Sequence, residues 1–160
     1  SGFGKLYNDT NNLIYEGEWK EENYNGIGKL YAPNGQVKFD GEFINGIPKE
    51  EPFKEKCETY AYKDLARSPD RYVGKSIKFS GKVIQVSEGK DNFANYRIAF
   101  DGNMDNAFFL NYTRKSGEDR ILEDDEVNIW GAYNGLYTYE SVMGGDITIP
   151  SADCYYISIK

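Results

Sequence analysis

The chain has 160 residues with 19 basic and 26 acidic side chains, a net charge of −7, and 14 tyrosines and 17 glycines. The acidic excess holds in both halves and removes long-range attraction to phosphate backbones and anionic lipid heads. Histidine is absent, which removes the usual base of serine and cysteine nucleophiles and the commonest metal ligand, while aromatics at 16% among many glycines favour short strands and tight turns.

The N-terminal third repeats with a period of 24 residues. Gly2, Gly4 and Lys5-Leu6-Tyr7 recur as Gly26, Gly28 and Lys29-Leu30-Tyr31, and Tyr15, Gly17 and Trp19 recur as Phe39, Gly41 and Phe43. On an extended strand the two rings and the glycine of YEGEW share a face, as do those of FDGEF, and the glycine leaves room for a neighbouring ring. The polar stretches KEENYNG and APNG supply turn residues, so each unit reads as a β-hairpin. Packed hairpins need neighbours to cover their apolar faces, and two units are too few to stand alone.

This spacing resembles the MORN repeat family over residues 2–47, with Glu22 where the family has a glycine and Gly46 keeping that glycine in the second unit. The resemblance implies an interaction or membrane-associated module, although an acidic segment offers no attraction to anionic lipid. The opening SGFGKLY reads as the tail of a further unit, so a longer chain carrying any signal or anchor is expected.

Residues 49–56, within IPKEEPFKEK, read as a linker between a hairpin domain over 1–48 and a second domain over 57–160. There TYAYKDLARSPDRYVGK predicts one short helix ending at Ser68-Pro69. SIKFSGKVIQV, NYRIAF, NAFFLNY, EVNIWGAYNGLYTYES and GDITIPSADCYYISI then alternate as strands, the count of an OB-like barrel. Ile77, Phe79, Gly81 and Val83 share a face, with Gly81 where the first strand must bend to serve both sides of a small barrel. The expected class is all-β: hairpin repeats docked on or leading into a five-stranded OB-like barrel with one N-terminal helix.

The succession of KDLARSPDRYVGKSIKFSGKVIQV, RILEDDEVNIWGAYNGLYTYES and MGGDITIPSADCYYI resembles an OB-fold domain of secreted and surface-anchored proteins of Gram-positive bacteria. The resemblance implies a fold and an extracytoplasmic place at the cell surface more than an activity. It also bears on Cys57 and Cys154, neither of which belongs to a CxxC pair. If the topology brings the helix start beside the last strand they form a disulfide; otherwise they are two unrelated buried thiols.

The acidic run EDRILEDDE, Glu118 to Glu126, lacks the spacing and central glycine of a calcium loop, so it reads as a solvated loop, and neither a metal site nor a cofactor is expected. A carboxylate hydrolase would need two acids flanking a cleft, and a non-enzymatic protein is the expectation. The aromatic strands are the better candidates. Alternation sends Trp130 outward if Val127 and Ile129 are core, and Phe109 and Asn111 outward if Phe108 and Leu110 are core. Tyr133, Tyr137 and Tyr139 surround Asn134-Gly135, read as a two-residue hairpin turn at the end of the barrel where OB folds take ligands.

Those six residues, Phe109, Asn111, Trp130, Tyr133, Tyr137 and Tyr139, form the candidate binding set; the bland alternative packs the rings against the helix or repeats, or caps the barrel end with them. Lys75, Lys78, Lys82 and Arg97 are the one modest basic cluster. The function expected is an extracytoplasmic binding or scaffolding module for a protein or cell-wall glycan. A carboxylate-dependent cell-wall hydrolase and a single-stranded nucleic-acid-binding OB domain are the alternatives, the second opposed by the net charge.

Overall fold

A computed structural model describes residues 2–160, which form an open antiparallel meander followed by a closed barrel. The meander runs β1 (Gly2–Tyr7), β2 (Leu13–Lys20), β3 (Asn23–Tyr31), β4 (Val37–Ile44) and β5 (Ile47–Pro48), each paired with the next. The repeated rings gather on one side, with Tyr15, Phe39 and Phe43 buried. Tyr24 stacks on Tyr15 at 3.9 Å, while Trp19 and Phe43 meet Tyr15 edge-on at 5.3 and 5.2 Å. Gly28 admits this packing, because a Cβ there would overlap the Tyr15 ring.

Within residues 49–56, expected as a linker, Glu50–Lys56 forms a helix, α1. Glu50 and Glu51 lie in its first turn and Lys54 and Lys56 in its last, which complements the helix dipole, and Glu50 holds Lys54 at 2.7 Å. Pro52 falls in the first turn, where its missing N–H costs nothing. The charge and proline that read as a break are therefore compatible with one amphipathic helix, whose apolar residue, Phe53, is fully buried. The single helix expected next is two, α2 (Tyr62–Arg67) and α3 (Pro69–Tyr72). Pro69 forces Ser68 out of helical geometry and starts a new turn at its own fixed φ.

The barrel strands are β6 (Ser76–Glu88), β7 (Phe93–Phe100), β8 (Ala107–Thr113), β9 (Glu126–Glu140) and β10 (Asp146–Ile159). They close in the order β10-β8-β7-β6-β9, antiparallel except for the β8–β10 pair, as an OB-like barrel does. Gly81 pairs with Phe100 on one side and Val127 on the other, and a Cβ there would run into Ile98. The first strand thus serves both neighbouring strands at Gly81; Ile77, Phe79 and Val83, with Ile98, Phe108, Leu110, Val127 and Ile129, fill the core.

The two units meet across the outer face of the β9–β10 ladder. Trp130, Tyr155 and Tyr156 pack against the meander's ring cluster and Phe53, whose ring lies 5.2 Å from that of Tyr155. The Lys54 ammonium sits 4.0 Å over the Trp130 ring, and the Tyr156 hydroxyl donates to the Pro48 carbonyl at 2.6 Å. Lys38 of β4 reaches Asp153 of β10 at 2.9 Å. Burial pushes the Asp153 carboxyl up, but Lys38 and the amides of Asn134 and Asn111 outweigh it and leave it below the usual range. Burial likewise pushes Lys38 down, and Tyr155 and Asp153 outweigh it, leaving the ammonium above its usual value.

Cys57 and Cys154 are unbridged, so the disulfide that the resemblance allowed is not formed. Cys57 packs with the meander's rings and Cys154 within the barrel core, two separate clusters. Burial pushes the Cys57 thiol up to about 12 and raises that of Cys154 as well. Alkylation of the native protein at pH 8 should leave both thiols unmodified, with two adducts by mass only after denaturation; rapid native labelling would contradict this packing.

Lys38→Met should cost about 2 kcal/mol in urea unfolding, less than a fully buried pair because Asp153 retains about a third of its exposure. Asp153, depressed in the fold, contributes stability that is complete above its unfolded value near ~3.9 and is lost as pH falls through the lower folded value. Lys38, raised in the fold, contributes below about 10.4 and loses that contribution as pH rises through its folded value. Asp153→Asn should therefore flatten the acid limb of the stability profile; an unchanged limb would remove the pair from this role.

A candidate ligand face of stacked rings

Strand alternation places the sequence-chosen residues in four different surroundings. Phe109 points outward from β8, opposite Arg97 of β7 and beside Ser151 of β10. Its ring stacks on that of Tyr137 at 4.3 Å and 19°, and Tyr139 completes a triangle of rings, 6.3 Å from Tyr137 at 23° and 6.0 Å from Phe109 at 33°. Trp130 also points outward, but into the contact with α1 and the meander, under Lys54. Tyr133 is buried inside the barrel with its hydroxyl donating to the Leu65 carbonyl at 2.7 Å, and burial raises its pKa. Asn111 donates to Asp153 at 3.3 Å and lines a separate, larger cleft.

The division among the three tyrosines has a single local cause. Asn134-Gly135 is not a hairpin turn: β9 continues through it to Glu140, and the reversal comes at Ser141–Gly145. A two-residue turn of this kind needs positive φ at both positions, whereas of the two only Gly135 has it, at +85°. Asn134 is instead the extra residue of a β-bulge, since Ser151 faces Gly135 and Ala152 faces Tyr133. One extra residue inverts the alternation. Tyr133 therefore points into the core, while Tyr137 and Tyr139 emerge on the outer side with Phe109.

Behind the rings is a recess of ≈ 230 Å³ lined by Gln85, Ser87, Asn95 and Arg97 together with Phe109, Tyr137 and Tyr139. Arg97 donates to the Tyr139 hydroxyl at 3.0 Å, which fixes one corner of the triangle. Asn95 Oδ1 is buried without a hydrogen-bond partner, an uncompensated acceptor beside the recess. Gln85, Ser87 and Asn95 were missed in the sequence, because isolated polar residues on alternating strands carry no signal until the barrel brings three strands together. None of the residues lining the recess is a carboxylate. The recess can stack a flat ring against Phe109 and Tyr137 and hydrogen-bond its edge through amides, a hydroxyl and one guanidinium.

The remaining basic residues do not join Arg97. Lys82 lies 3.7 Å from Asp124, while Lys75 lines a different hollow with Lys56 and Glu58. The acidic run is dispersed among local partners: Glu118 accepts from the Tyr112 hydroxyl, Arg120 pairs with Glu88 at 2.6 Å, and Asp125 accepts from the Leu122 amide.

No protein-family model and no curated protein matches the chain. Among solved structures it is similar to the mitochondrial single-stranded DNA binding protein Rim1 of S. cerevisiae, with 15% identity, a TM-score of 0.36, and coverage of 52% of this chain and 90% of that one. It is also similar to an aspartyl tRNA synthetase from Entamoeba histolytica, with 11% identity, a TM-score of 0.46, and coverage of 74% of this chain but 26% of that one.

Gly135→Val tests the bulge, since a β-branched residue is strained at this positive φ and its Cβ would lie 3.2 Å from Val73. The variant should lose about 1–2 kcal/mol of stability and the nuclear Overhauser contacts between Phe109 and Tyr137. Retention of both would show that the bulge does not set the ring triangle.

Proposed function

We propose that the protein is a non-enzymatic binding module whose barrel holds a flat, uncharged ring, the sugar of a cell-wall glycan, on Phe109, Tyr137 and Tyr139. The observation that carries this reading is the cluster of three rings rimmed by Gln85, Ser87, Asn95 and a single cation. Stacking takes the apolar face of a sugar, and amides and hydroxyls take its edge, without needing attraction from a chain whose net charge is −7. In this reading the meander is a MORN-like spacer that positions the barrel at the cell surface. That placement rests on the sequence resemblance, and the unbridged cysteines lend it no support.

Single-stranded nucleic acid is the second reading, favoured by Arg97 beside stacked rings on an OB-like barrel face. The scatter of the other basic side chains counts against it. Calorimetric titration with N-acetylglucosamine oligomers and with oligothymidylate separates the two. The sugar should bind with little salt dependence, and Phe109→Ala or Tyr137→Ala should each weaken it by about tenfold, an effect of about 1.4 kcal/mol. Oligothymidylate binding that falls steeply with salt, with no response to sugar, would replace the glycan reading with the nucleic-acid one. Sugar affinity untouched by both ring variants would remove this face from the function.

A further inference from the structure

A cavity of ≈ 890 Å³ shares no lining residue with the ring-lined recess. It opens between the β4–β5 end of the meander and the β8–β10 side of the barrel. Ile44, Ile47 and Phe93 line it, with Ile44 and Phe93 each 41% exposed. Tyr155 and Tyr156 form part of the barrel-side wall. A cavity of this size and character suits a small organic ligand.

Its charged residues are not evenly satisfied. Lys49 is 3.4 Å from Glu42, Glu50 is 2.7 Å from Lys54, and Asp153 is 2.9 Å from Lys38. Glu51 is exposed on the first turn of α1. Among the described residues, Arg114 and Lys115 line the cavity with no carboxylate at ion-pair distance. Arg114 reaches only the Asn92 amide oxygen, at 3.3 Å. Lys115 donates to the Tyr155 carbonyl at 2.6 Å and the Tyr112 hydroxyl at 3.2 Å, and its ammonium lies 4.5 Å from the centre of the Tyr156 ring. An ammonium carries three protons, so one remains to donate. Burial pushes the Lys115 pKa down, a cost that an anion beside it would offset.

We propose that this cavity binds a small amphipathic carboxylate, its chain against Ile44, Ile47 and Phe93 and its head held by Lys115 and Arg114. Charge complementarity decides the occupant: the apolar wall would take any hydrocarbon chain, and the two unpaired cations select an anionic head. This site is independent of the ring triangle, so each can fail without the other.

Decanoate and decanol are the probes, titrated calorimetrically into the whole chain with resonance mapping of the site. Decanoate should bind saturably, shift resonances of Phe93 and Lys115, and bind about tenfold more tightly than decanol. Lys115→Met and Arg114→Gln should each weaken decanoate by about tenfold while leaving decanol unchanged, and Phe93→Ala should weaken both. Arg114→Gln stands alone if Lys115→Met fails to fold, since Lys115 also holds the Tyr155 carbonyl. Equal affinity for the two probes, no saturable binding, or shifts confined to Phe109 and Tyr137 would overturn the proposal. Binding only of an apolar peptide ending in a carboxylate would overturn it in favour of a protein partner.

Discussion

The outer face of one strand pair, β9 with β10, is the contact on which the rest of the molecule depends. Side chains alternate across a sheet, so the same ladder sends Val127, Ile129, Ala152 and Cys154 into the barrel and presents Trp130 to the meander, and the register shift between Cys154 and Tyr156 brings Tyr155 and Tyr156 to that outer side. An open meander has only one layer, and its ring cluster needs a second to exclude water. Helix α1 and the outer face of the ladder provide it. Phe53 sits in the middle of that contact, and burying one such ring contributes about 2–3 kcal/mol. The barrel thus completes the core of the repeats, and the repeats cover apolar rings that the barrel would otherwise expose.

The same ladder carries the device that shapes the ring-lined face. Without the bulge at Asn134, Tyr133, Tyr137 and Tyr139 would all lie on one side, because each is an even number of residues from the others. With it, one tyrosine seals the barrel and two join Phe109 outside. A single residue of backbone geometry therefore separates a tyrosine of the barrel core from two on the outer surface. The two concave regions then differ in chemistry: the ring-lined recess is rimmed by neutral amides and one guanidinium tied to Tyr139, whereas the larger cavity joins an apolar wall of Ile44, Ile47 and Phe93 to two cations that, among the described residues, have no carboxylate at ion-pair distance. The ring ligand and the anionic chain that we propose place distinct demands on these two regions.

Period and alternation alone determined much of this protein. The 24-residue repeat specified the buried faces around Tyr15, Phe39 and Phe43. The two-residue period specified which of Phe108 and Phe109, or of Ile129 and Trp130, faces the core, and placed Gly81 where β6 serves both neighbouring strands. These are local consequences of strand geometry and need no knowledge of partners. Only the tertiary structure decided that Glu50–Lys56 is a helix, because its formation depends on a pocket for Phe53 built by two distant segments. It decided that the cysteines stay unbridged, since Cys57 packs with the ring cluster outside the ladder and Cys154 within the barrel core. It decided, too, that Asn134-Gly135 bulges instead of turning and that Trp130 is covered while Phe109 is free to stack, because both outcomes depend on what packs against a strand, which strand alternation does not encode.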